Sequence, residues 1–317
     1  MPDPRDQSTK TRLAPRRCCG TMGYHLDQLE KTPGYRQTLG ALEDVSQRRM
    51  RDLKTFAEAD DAKPVTIPVV VHILYRINAE NISDEQVKSQ IAVLNEDFGA
   101  TNADRTSIPP VWAGLHVDTG IRFALASKDP EGQPTDGIVR VKTKKKVFGS
   151  TNQMKFSATG GSDAWSTDAY LNIWVCTLGE GLLGYAQFPN GVPDTDGVVI
   201  LNTAFGRGGS AVAPFDLGRT TTHEVGHWLN LHHIWGDTQD CTGSDNVDDT
   251  PPQQYPNRQK PTFPKISCGN GPNGDMFMNY MDYVDDAAMY MFTRGQALRM
   301  RTALEEARPA FLATEVA

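Results

Sequence analysis

The chain has 317 residues, a formal net charge of −7 and a hydrophobic fraction of 38%. This length allows one large domain or two lobes with an extensive core. The acidic balance argues against nucleic acid or an anionic membrane as a partner, and no apolar run approaches the length of a membrane span. The opening stretch MPDPRDQSTKTRLAPRR has no apolar region of the kind that a secretory signal peptide carries.

The first 60 residues are polar and charged, and their periodicity predicts helices over residues 25–29 and 39–56. Two arginine clusters, at residues 16–17 and 48–51, are typical of a solvated helix face. The first cluster runs into Cys18 and Cys19. Because a thiolate is a strong zinc ligand, a cysteine here could block a metal site, whereas a pair of free thiols is the alternative.

A strand, a helix and further strands are predicted next. The β-branched run VTIPVVVHILYR, residues 65–76, predicts a buried strand. Ser83 suits the N-cap of the following helix and Gln86 the third position of a capping box, with the helix ending near Phe98. The further strands are predicted over residues 121–127, 170–176 and 197–202. The basic residues 144–146 favour a solvated loop or a strand end.

The stretch LLGYAQFP, residues 182–189, predicts the edge strand of the sheet. An exposed edge has free backbone N–H and C=O groups, so an extended peptide can bind by adding a strand. Leu182, Leu183 and Gly184 are therefore candidates for binding a peptide substrate. A guarded edge that binds nothing is the alternative.

The stretch HEVGHWLNLHH carries the metal-binding signal. His223 and His227 are four residues apart, so on a helix both imidazoles leave one face and can bind one metal ion. Three imidazoles suit zinc, which leaves a position for a water whose pKa it lowers, and Glu224 can exchange a proton with that water. His233 can supply the third imidazole if the helix ends near Asn230, a residue type that tolerates a left-handed backbone.

The remainder of the chain predicts an irregular region followed by a helix. Residues 234–275 are rich in Pro, Gly, Asn and Asp and show no apolar period. Within them, DNVDDT sets oxygen donors at the close intervals that calcium requires, although such loops are often simply solvated. The final stretch FTRGQALRMRTALEEARPAF predicts a helix whose apolar side pairs with the lower part of the fold.

The pattern H-E-x-x-H-x-x-G-x-x-H marks the metzincin metallopeptidases, and this chain matches it except for Asn230 in place of glycine. NYMDY resembles the metzincin Met-turn, with Met281 as its methionine. With LLGYAQFP and CGNGPNGDMFMNYMDY, these stretches resemble the pappalysin family, most closely its small microbial members of the ulilysin type. The resemblance covers about residues 64–301. It implies an α+β fold: a twisted, mostly parallel sheet with helices in an upper lobe, and an irregular lower lobe with a C-terminal helix.

The resemblance also implies a secreted zinc endopeptidase and the roles of its residues. Glu224 would act as general base and then as general acid, and Tyr283 would stabilise the oxyanion. Met281 would support the site from below without touching substrate. Ulilysin-type members favour a basic residue after the scissile bond, which requires a carboxylate in the pocket, and Asp285 and Asp286 are the candidates.

Pro-segments of the ulilysin type carry a Cys-Gly-Thr whose cysteine fills the open zinc position, and Cys19 is the cysteine that matches it here. The resemblance therefore implies a latent zymogen. Removal of the pro-segment would follow cleavage between Arg48 and Lys63.

Two structural features are implied by the same resemblance. One is a disulfide between Cys241 and Cys268, which indicates an oxidising, extracellular compartment. The other is a structural calcium ion in the DNVDDT loop, bound by side chains or the backbone of Asp245, Val247, Asp248 and Thr250.

We therefore expect a pro-segment over residues 1–60, an N-terminal catalytic subdomain over residues 61–233 and a C-terminal subdomain over residues 234–317. The substrates would be proteins or peptides, and we expect a monomer. Two alternatives stay open: a catalytically silent zinc and calcium protein that binds peptides, and a calcium-dependent structural module with an incidental zinc motif. Intact Glu224 and Tyr283 argue against the first.

Overall fold

The computed structural model describes residues 16–52 and 63–313. Its central feature is a six-stranded sheet in the order β2-β1-β4-β6-β5, with β3 also paired to β1. All pairs are parallel except that of β5 with β6, so β5 is an antiparallel edge strand. The strands of this sheet are β1 (Val65–Tyr75), β2 (Ile121–Leu125), β3 (Ile138–Lys142), β4 (Leu171–Cys176), β5 (Gly184–Ala186) and β6 (Val198–Leu201).

Each predicted strand is present, including the edge strand, but β3 was not predicted. It pairs with the second half of β1, from Val71 to Tyr75, and ends just before the basic run at residues 144–146. Its residues are half-buried or exposed, and it has no continuous apolar run. The alternation of valine with charged residues over 139–142 was the available signal for this strand.

The described residues form six α-helices: α1 (Thr21–Lys31), α2 (Tyr35–Arg51), α3 (Asp84–Phe98), α4 (Pro110–Ala113), α5 (Arg219–Trp228) and α6 (Arg294–Ala307). Within residues 16–52 and 63–313, none of them is long and apolar enough to cross a membrane. The predicted helices are confirmed, but residues 53–56 of the second prediction lie outside the described residues. Most of the predicted cleavage region before Lys63 lies outside them as well.

Only half of the predicted capping box at the start of α3 forms. The Ser83 hydroxyl accepts the backbone N–H of Gln86 at 3.2 Å. The Gln86 side chain instead donates to the carbonyl oxygen of Phe205 at 2.8 Å and accepts the N–H of Ser210. Gln86 therefore ties the helix to the loop after β6, a partner that local spacing cannot reveal.

Both faces of the sheet are covered, which explains why the central strands are apolar throughout. Val69 and Ile73 of β1 pack into the larger core with residues of α3 and α5. On the opposite face, Leu74 of β1 packs with Trp174 and Tyr185. Helix α5 is thus held against the underside of the sheet, close to the edge strand.

Below α5 the chain is irregular, as predicted, apart from the short parallel pair β7 (Arg258–Gln259) and β8 (Tyr283–Val284). The disulfide between Cys241 and Cys268 is present, with 5.3 Å between the two Cα atoms. The C-terminal helix α6 buries Leu298, Met300 and Leu304. The predicted α+β arrangement of a parallel upper sheet and an irregular lower region is therefore confirmed.

The N-terminal helices lie on this body of the protein. Helix α2 packs along α6, where the Glu43 carboxylate accepts both terminal nitrogens of the Arg299 guanidinium at 3.0 and 2.5 Å. Arg49 of α2 also pairs with Glu305 and Glu306 of α6. The N-terminal segment is thus attached partly by pairs of charged groups. When the segment leaves, water can solvate the charged groups that remain on α6.

Candidate active site

Three imidazoles converge at the C-terminal end of α5. The Nε2 atom of His227 lies 3.2 Å from that of His223 and 3.1 Å from that of His233. All three rings are buried. Because Nε2 lone pairs this close repel one another, the arrangement fits a shared cation better than an empty cavity.

The outer nitrogen of each ring is held by an acceptor. The Nδ1 atoms of His223 and His227 donate to the carbonyl oxygens of Tyr280 and Leu231, both at 2.7 Å, and His233 Nδ1 lies 2.6 Å from Asp237 Oδ1. In a neutral ring, an Nδ1 atom that donates leaves the Nε2 lone pair available to a metal ion. Burial is the largest effect that lowers the pKa of His223 and of His227 well below the ordinary value. Neutral imidazoles with oriented Nε2 atoms are the ligands that zinc binds.

Asn230 makes the turn that brings His233 back to the helix. Its φ is +72°, the left-handed conformation that the sequence predicted for this position. The next N–H, that of Leu231, donates back to the Gly226 carbonyl at 2.9 Å. The departure from glycine therefore leaves the turn intact.

Glu224 lies beside the imidazoles, beneath the edge strand. A Cβ atom on Gly184 of β5 would lie 3.0 Å from Glu224 Cγ, so the strand passes directly over the carboxylate. Burial raises the pKa of Glu224 to about 7, while hydrogen bonds from Thr21 and Cys19 oppose this rise. The side chain is thus placed between the imidazole nitrogens and the edge strand.

Met281 and Tyr283 come from the turn below α5. A Cβ atom on Gly226 would lie 2.6 Å from Met281 Sδ, so the methionine supports the helix at close contact. The Tyr283 ring packs edge-on to the His233 ring, with 4.9 Å between the ring centroids. Its hydroxyl donates to the Cys19 carbonyl oxygen at 3.5 Å. Met281 thus lies against the helix that carries His223 and His227, and Tyr283 lies beside His233.

The N-terminal segment fills the cleft above these residues. Cys19 Sγ belongs with the three histidine nitrogens to a group of potential metal ligands, all within 4.8 Å of one another. Desolvation, followed by the Glu224 charge, raises the pKa of the Cys19 thiol well above its ordinary value. A nearby cation is what would favour the thiolate. Cys18, in contrast, is exposed.

The same segment pairs with the edge strand in the parallel direction. Gly20 N–H donates to the Gly184 carbonyl oxygen and Leu183 N–H to that of Cys18, both at 2.9 Å. The N–H of Ala186 donates to the Thr21 hydroxyl at 2.8 Å. The edge groups predicted to bind substrate are therefore occupied by this segment.

Arg17 is not on a solvated helix face, so that prediction is wrong. The side chain is buried, and its Nη2 lies 2.5 Å from Asp286 Oδ1. It also donates to the Thr220 hydroxyl at 3.1 Å and to the Val284 carbonyl at 3.2 Å, and it lies over the Phe215 ring. A carboxylate at the base of a pocket explains how a charged side chain can be buried here.

Of the two predicted specificity residues, Asp286 alone lies in this pocket. Its Oδ2 accepts the N–H groups of Leu217 and Arg219, at 2.9 and 3.2 Å, so the carboxylate is rigidly held. Asp285 is half-exposed. The carboxylate that meets a basic side chain is therefore that of Asp286.

Three of the four predicted calcium ligands converge in the lower loop. The Thr250 hydroxyl lies 2.8 Å from both Asp245 Oδ1 and the Val247 carbonyl oxygen. Asp248 is exposed beside them. The neighbouring Asp249, which was not predicted to have a role, accepts the N–H of Gly295 and the Thr293 hydroxyl at the start of α6.

Sequence reasoning missed Arg17, Thr21 and Asp237 as parts of the site. Thr21 donates to Glu224 Oε2 at 2.9 Å, and Asp237 orients His233. Thr21 is the third residue of the Cys-Gly-Thr run, and Asp237 follows His233 by four residues, which were the available signals. Arg17 carried none, because its partner lies 269 residues away.

Comparison with known proteins identifies relatives by sequence. Residues 144–305 match the profile of the family Peptidase_M43, described as "Pregnancy-associated plasma protein-A". "Extracellular metalloprotease 1" of Coccidioides posadasii is 32% identical over 254 residues, which cover 77% of this chain and 78% of that protein. An "Extracellular metalloprotease" of Verticillium alfalfae is 29% identical over 305 residues, covering 93% of both chains.

Solved structures are similar over the same region. A glutamate-to-alanine mutant of Tannerella forsythia promirolysin is 45% identical with a TM-score of 0.83, covering 94% of this chain and 96% of that chain. Mature mirolysin of the same organism, in complex with a cleaved peptide, is 51% identical with a TM-score of 0.76 and covers 78% of this chain and 96% of that one. The mature form thus matches a smaller share of this chain than the precursor does.

The turn at Asn230 yields a first prediction. Its side-chain Nδ2 has no hydrogen-bond partner in the described structure, so the turn depends on the backbone conformation alone. Asn230→Ala should lower the free energy of unfolding by about 1–2 kcal/mol, since alanine is disfavoured at positive φ, and should weaken zinc binding because His233 shifts. Asn230→Gly is the matched control and should keep both. Thermal unfolding measures the loss of stability, and competition with a chelator measures zinc affinity. If Asn230→Gly loses zinc while Asn230→Ala retains it, this account is contradicted.

Proposed function

The chain belongs to the Peptidase_M43 family of pappalysin-type metallopeptidases, and on that premise we propose which of its residues carry the activity. It is a zinc endopeptidase with a zymogen form. The observation that carries the assignment is the convergence of three buried Nε2 atoms beside Glu224. When bound, zinc polarises the scissile carbonyl and acidifies a water molecule.

The proposed zinc ligands are His223, His227 and His233. The hydrogen bonds of their Nδ1 atoms support this role, because they turn the Nε2 atoms toward one point. Glu224 accepts a proton from the attacking water and returns it to the leaving amine. Tyr283 donates its hydroxyl to the oxygen that gains negative charge, a role supported by its present bond to a main-chain carbonyl oxygen. Met281 supports the floor and does not touch substrate.

Glu224→Gln tests the proton-transfer role, because the amide keeps the volume but cannot accept the proton. In protein trimmed to about Lys63, we expect cleavage of a mixed peptide library to fall by about 10²–10⁴-fold. Zinc content, measured by elemental analysis, should stay the same as in the wild type. If the wild type holds zinc and cuts no peptide, the silent peptide-binding alternative replaces this proposal.

Latency is proposed to depend on Cys19, with residues 1–60 as the pro-segment. With zinc bound, its thiolate would occupy the position that the catalytic water needs, while the segment occupies the edge of β5. Cleavage between Arg48 and Lys63 would release it. The smaller coverage of this chain by mature mirolysin supports that boundary. The remaining chain then forms the subdomains 61–233 and 234–317, which meet at the zinc motif.

Cys19→Ser should weaken latency, since a hydroxyl is a much poorer zinc ligand than a thiolate. The full-length variant should gain peptidase activity and process itself at least several-fold faster than the wild type. Cys18→Ser is the matched control, because Cys18 is exposed, and it should behave as the wild type does. Time courses of activity, with sequencing of the new amino terminus, distinguish the two. If Cys18→Ser activates the enzyme and Cys19→Ser does not, latency depends on Cys18 and the assignment to Cys19 is wrong.

Specificity for a basic residue after the scissile bond is proposed to reside in Asp286. The buried Arg17 supports this proposal. Its guanidinium pairs with Asp286, and Arg17 lies two residues before Cys19, which lies beside the three histidines. A hydrogen bond between charged groups contributes about 1.5–3 kcal/mol. An arginine of the substrate in the same pocket would gain this contact.

Asp286→Asn should therefore lower the preference for arginine over norleucine after the scissile bond by at least about tenfold. Asp285→Asn is the matched control and should leave the preference unchanged. The readout is the ratio of kcat/KM for paired peptides, which does not depend on the amount of active enzyme. An unchanged ratio in Asp286→Asn would remove Asp286 from the specificity pocket.

A structural calcium ion is proposed in the lower loop, with Asp245, Val247 and Thr250 as ligands and the exposed Asp248 beside them. Burial raises the pKa of Asp245 to about 7, an unfavourable setting for a carboxylate that a divalent cation would relieve. Calcium should raise the melting temperature of the wild type, whereas Asp245→Asn should abolish the rise. Asp240→Asn, an exposed carboxylate nearby, is the control. No calcium response in the wild type would reject the ion.

The site of action is proposed to be extracellular, on protein or peptide substrates, with the enzyme as a monomer. The two relatives above are named extracellular metalloproteases, and the Cys241–Cys268 disulfide suits an oxidising compartment.

A further inference from the structure

Tyr24 of α1 fills a hollow on the outer face of the edge strand. Its ring packs against Tyr185 of β5, with 5.5 Å between the centroids, and only 7% of the residue is exposed. Its hydroxyl donates to Gln187 Oε1 at 2.8 Å and lies 3.2 Å from the Thr195 hydroxyl, and it accepts an N–H from Asn152 at 2.9 Å. Three groups from outside the N-terminal segment therefore meet at one phenol oxygen.

Lys155 forms the floor of this hollow. Its side chain is fully buried, and its Nζ lies 5.1 Å from the ring centroids of Trp174 and Tyr185 and 5.5 Å from that of Tyr24. It donates to the Thr195 carbonyl oxygen at 2.6 Å. Burial lowers the pKa of Lys155 to about 7. The cation is thus held mainly by aromatic faces, one of which belongs to the N-terminal segment.

The hollow lies where an added strand would place alternate side chains. Gly184 faces Glu224, whereas the next residue, Tyr185, packs with Trp174 on the opposite face of the sheet. A peptide paired to β5 alternates in the same way, so every second side chain falls on the Tyr185 face.

The order of contacts along the N-terminal segment identifies which side of the scissile bond is involved. Arg17 precedes Cys19 and lies in the Asp286 pocket, which belongs to the residue after the scissile bond. Tyr24 follows Cys19 and lies beyond it, along β5, away from Asp286. The hollow therefore belongs to residues that precede the scissile bond.

We propose that this hollow is a substrate subsite, opened when the N-terminal segment leaves, that binds a tyrosine side chain preceding the scissile bond. The inference rests on the proposed function of that segment. The substrate ring would lie against Tyr185 and Lys155, and its hydroxyl would meet Gln187 and Thr195. A phenylalanine would lose the hydrogen bonds of the phenol, and Gln187 and Thr195 would keep only the bond between them, at 2.7 Å, and their bonds to the Val192 carbonyl oxygen. An aliphatic side chain would also lose the contact between an aromatic ring and the Lys155 amino group.

A peptide series tests the subsite on the mature enzyme. Every peptide carries arginine after the scissile bond, and tyrosine, phenylalanine or leucine is placed in turn at each of the preceding positions. At one position we expect kcat/KM to favour tyrosine over phenylalanine by about fivefold or more, as the loss of a hydrogen bond implies. Phenylalanine should be favoured over leucine there by about threefold, as a cation–π contact implies.

Two variants separate the contributions. Thr195→Val is isosteric and should lower the tyrosine-to-phenylalanine ratio, because it removes one of the polar groups that meet the phenol. Lys155→Met keeps an unbranched side chain in the buried space and should lower the phenylalanine-to-leucine ratio instead. Lys144→Met, an exposed lysine in the basic run, is the matched control and should change neither ratio. Ratios within one variant do not depend on its folding yield.

Equal cleavage of all three peptides at every position, with the arginine preference intact, would overturn the subsite and leave the proposed function standing. If no peptide is cut, the proposed function fails, and the same peptides are titrated calorimetrically into the mature protein. Tighter binding of the tyrosine peptide, weakened in Thr195→Val, would still support the subsite. Equal dissociation constants would overturn it.

Discussion

The meeting of three imidazole Nε2 atoms at one point is the constraint on which the rest of the site depends. Each ring is oriented by an acceptor from a different part of the chain: the Tyr280 carbonyl under the helix, the Leu231 carbonyl in the turn after it, and the Asp237 carboxylate beyond the turn. The positive φ of Asn230 is what allows the last two to reach their rings. The irregular lower region therefore has a structural purpose, because it supplies two of these acceptors and the methionine that supports α5.

Residues 17–24 of the N-terminal segment contact this site at successive positions. Arg17 lies on Asp286, Cys19 lies among the imidazoles, Thr21 donates to Glu224 and Tyr24 lies on Tyr185. Its strand contact runs parallel to β5 and then turns into α1 within a few residues. The segment thus meets the side-chain pockets of the cleft while following a different main-chain path from an extended peptide added antiparallel to β5.

Local patterns were sufficient to predict five of the six strands of the main sheet, α3, α6, the grouping of His223, His227 and His233, and the turn at Asn230. Each of these depends on residues close in sequence, such as the four-residue spacing of His223 and His227. Contacts between distant residues could not be predicted, because spacing carries no information about them. Arg17 and Asp286 are 269 residues apart in sequence. Gln86 and Phe205, which are joined by a hydrogen bond, are 119 residues apart. The resemblance to the pappalysins supplied Asp285 and Asp286 as candidates, and in the fold Asp286 is the one that pairs with Arg17.

The central claim is that the N-terminal segment and the catalytic water compete for one zinc position. X-ray absorption at the zinc edge of the full-length protein, before and after removal of the segment, tests it most directly. We predict a sulfur ligand at about 2.3 Å together with nitrogen ligands in the full-length protein, and the loss of that sulfur in the trimmed form. A zinc ion bound only by nitrogen and oxygen in the full-length protein, or a sulfur ligand that persists after trimming, would contradict the account.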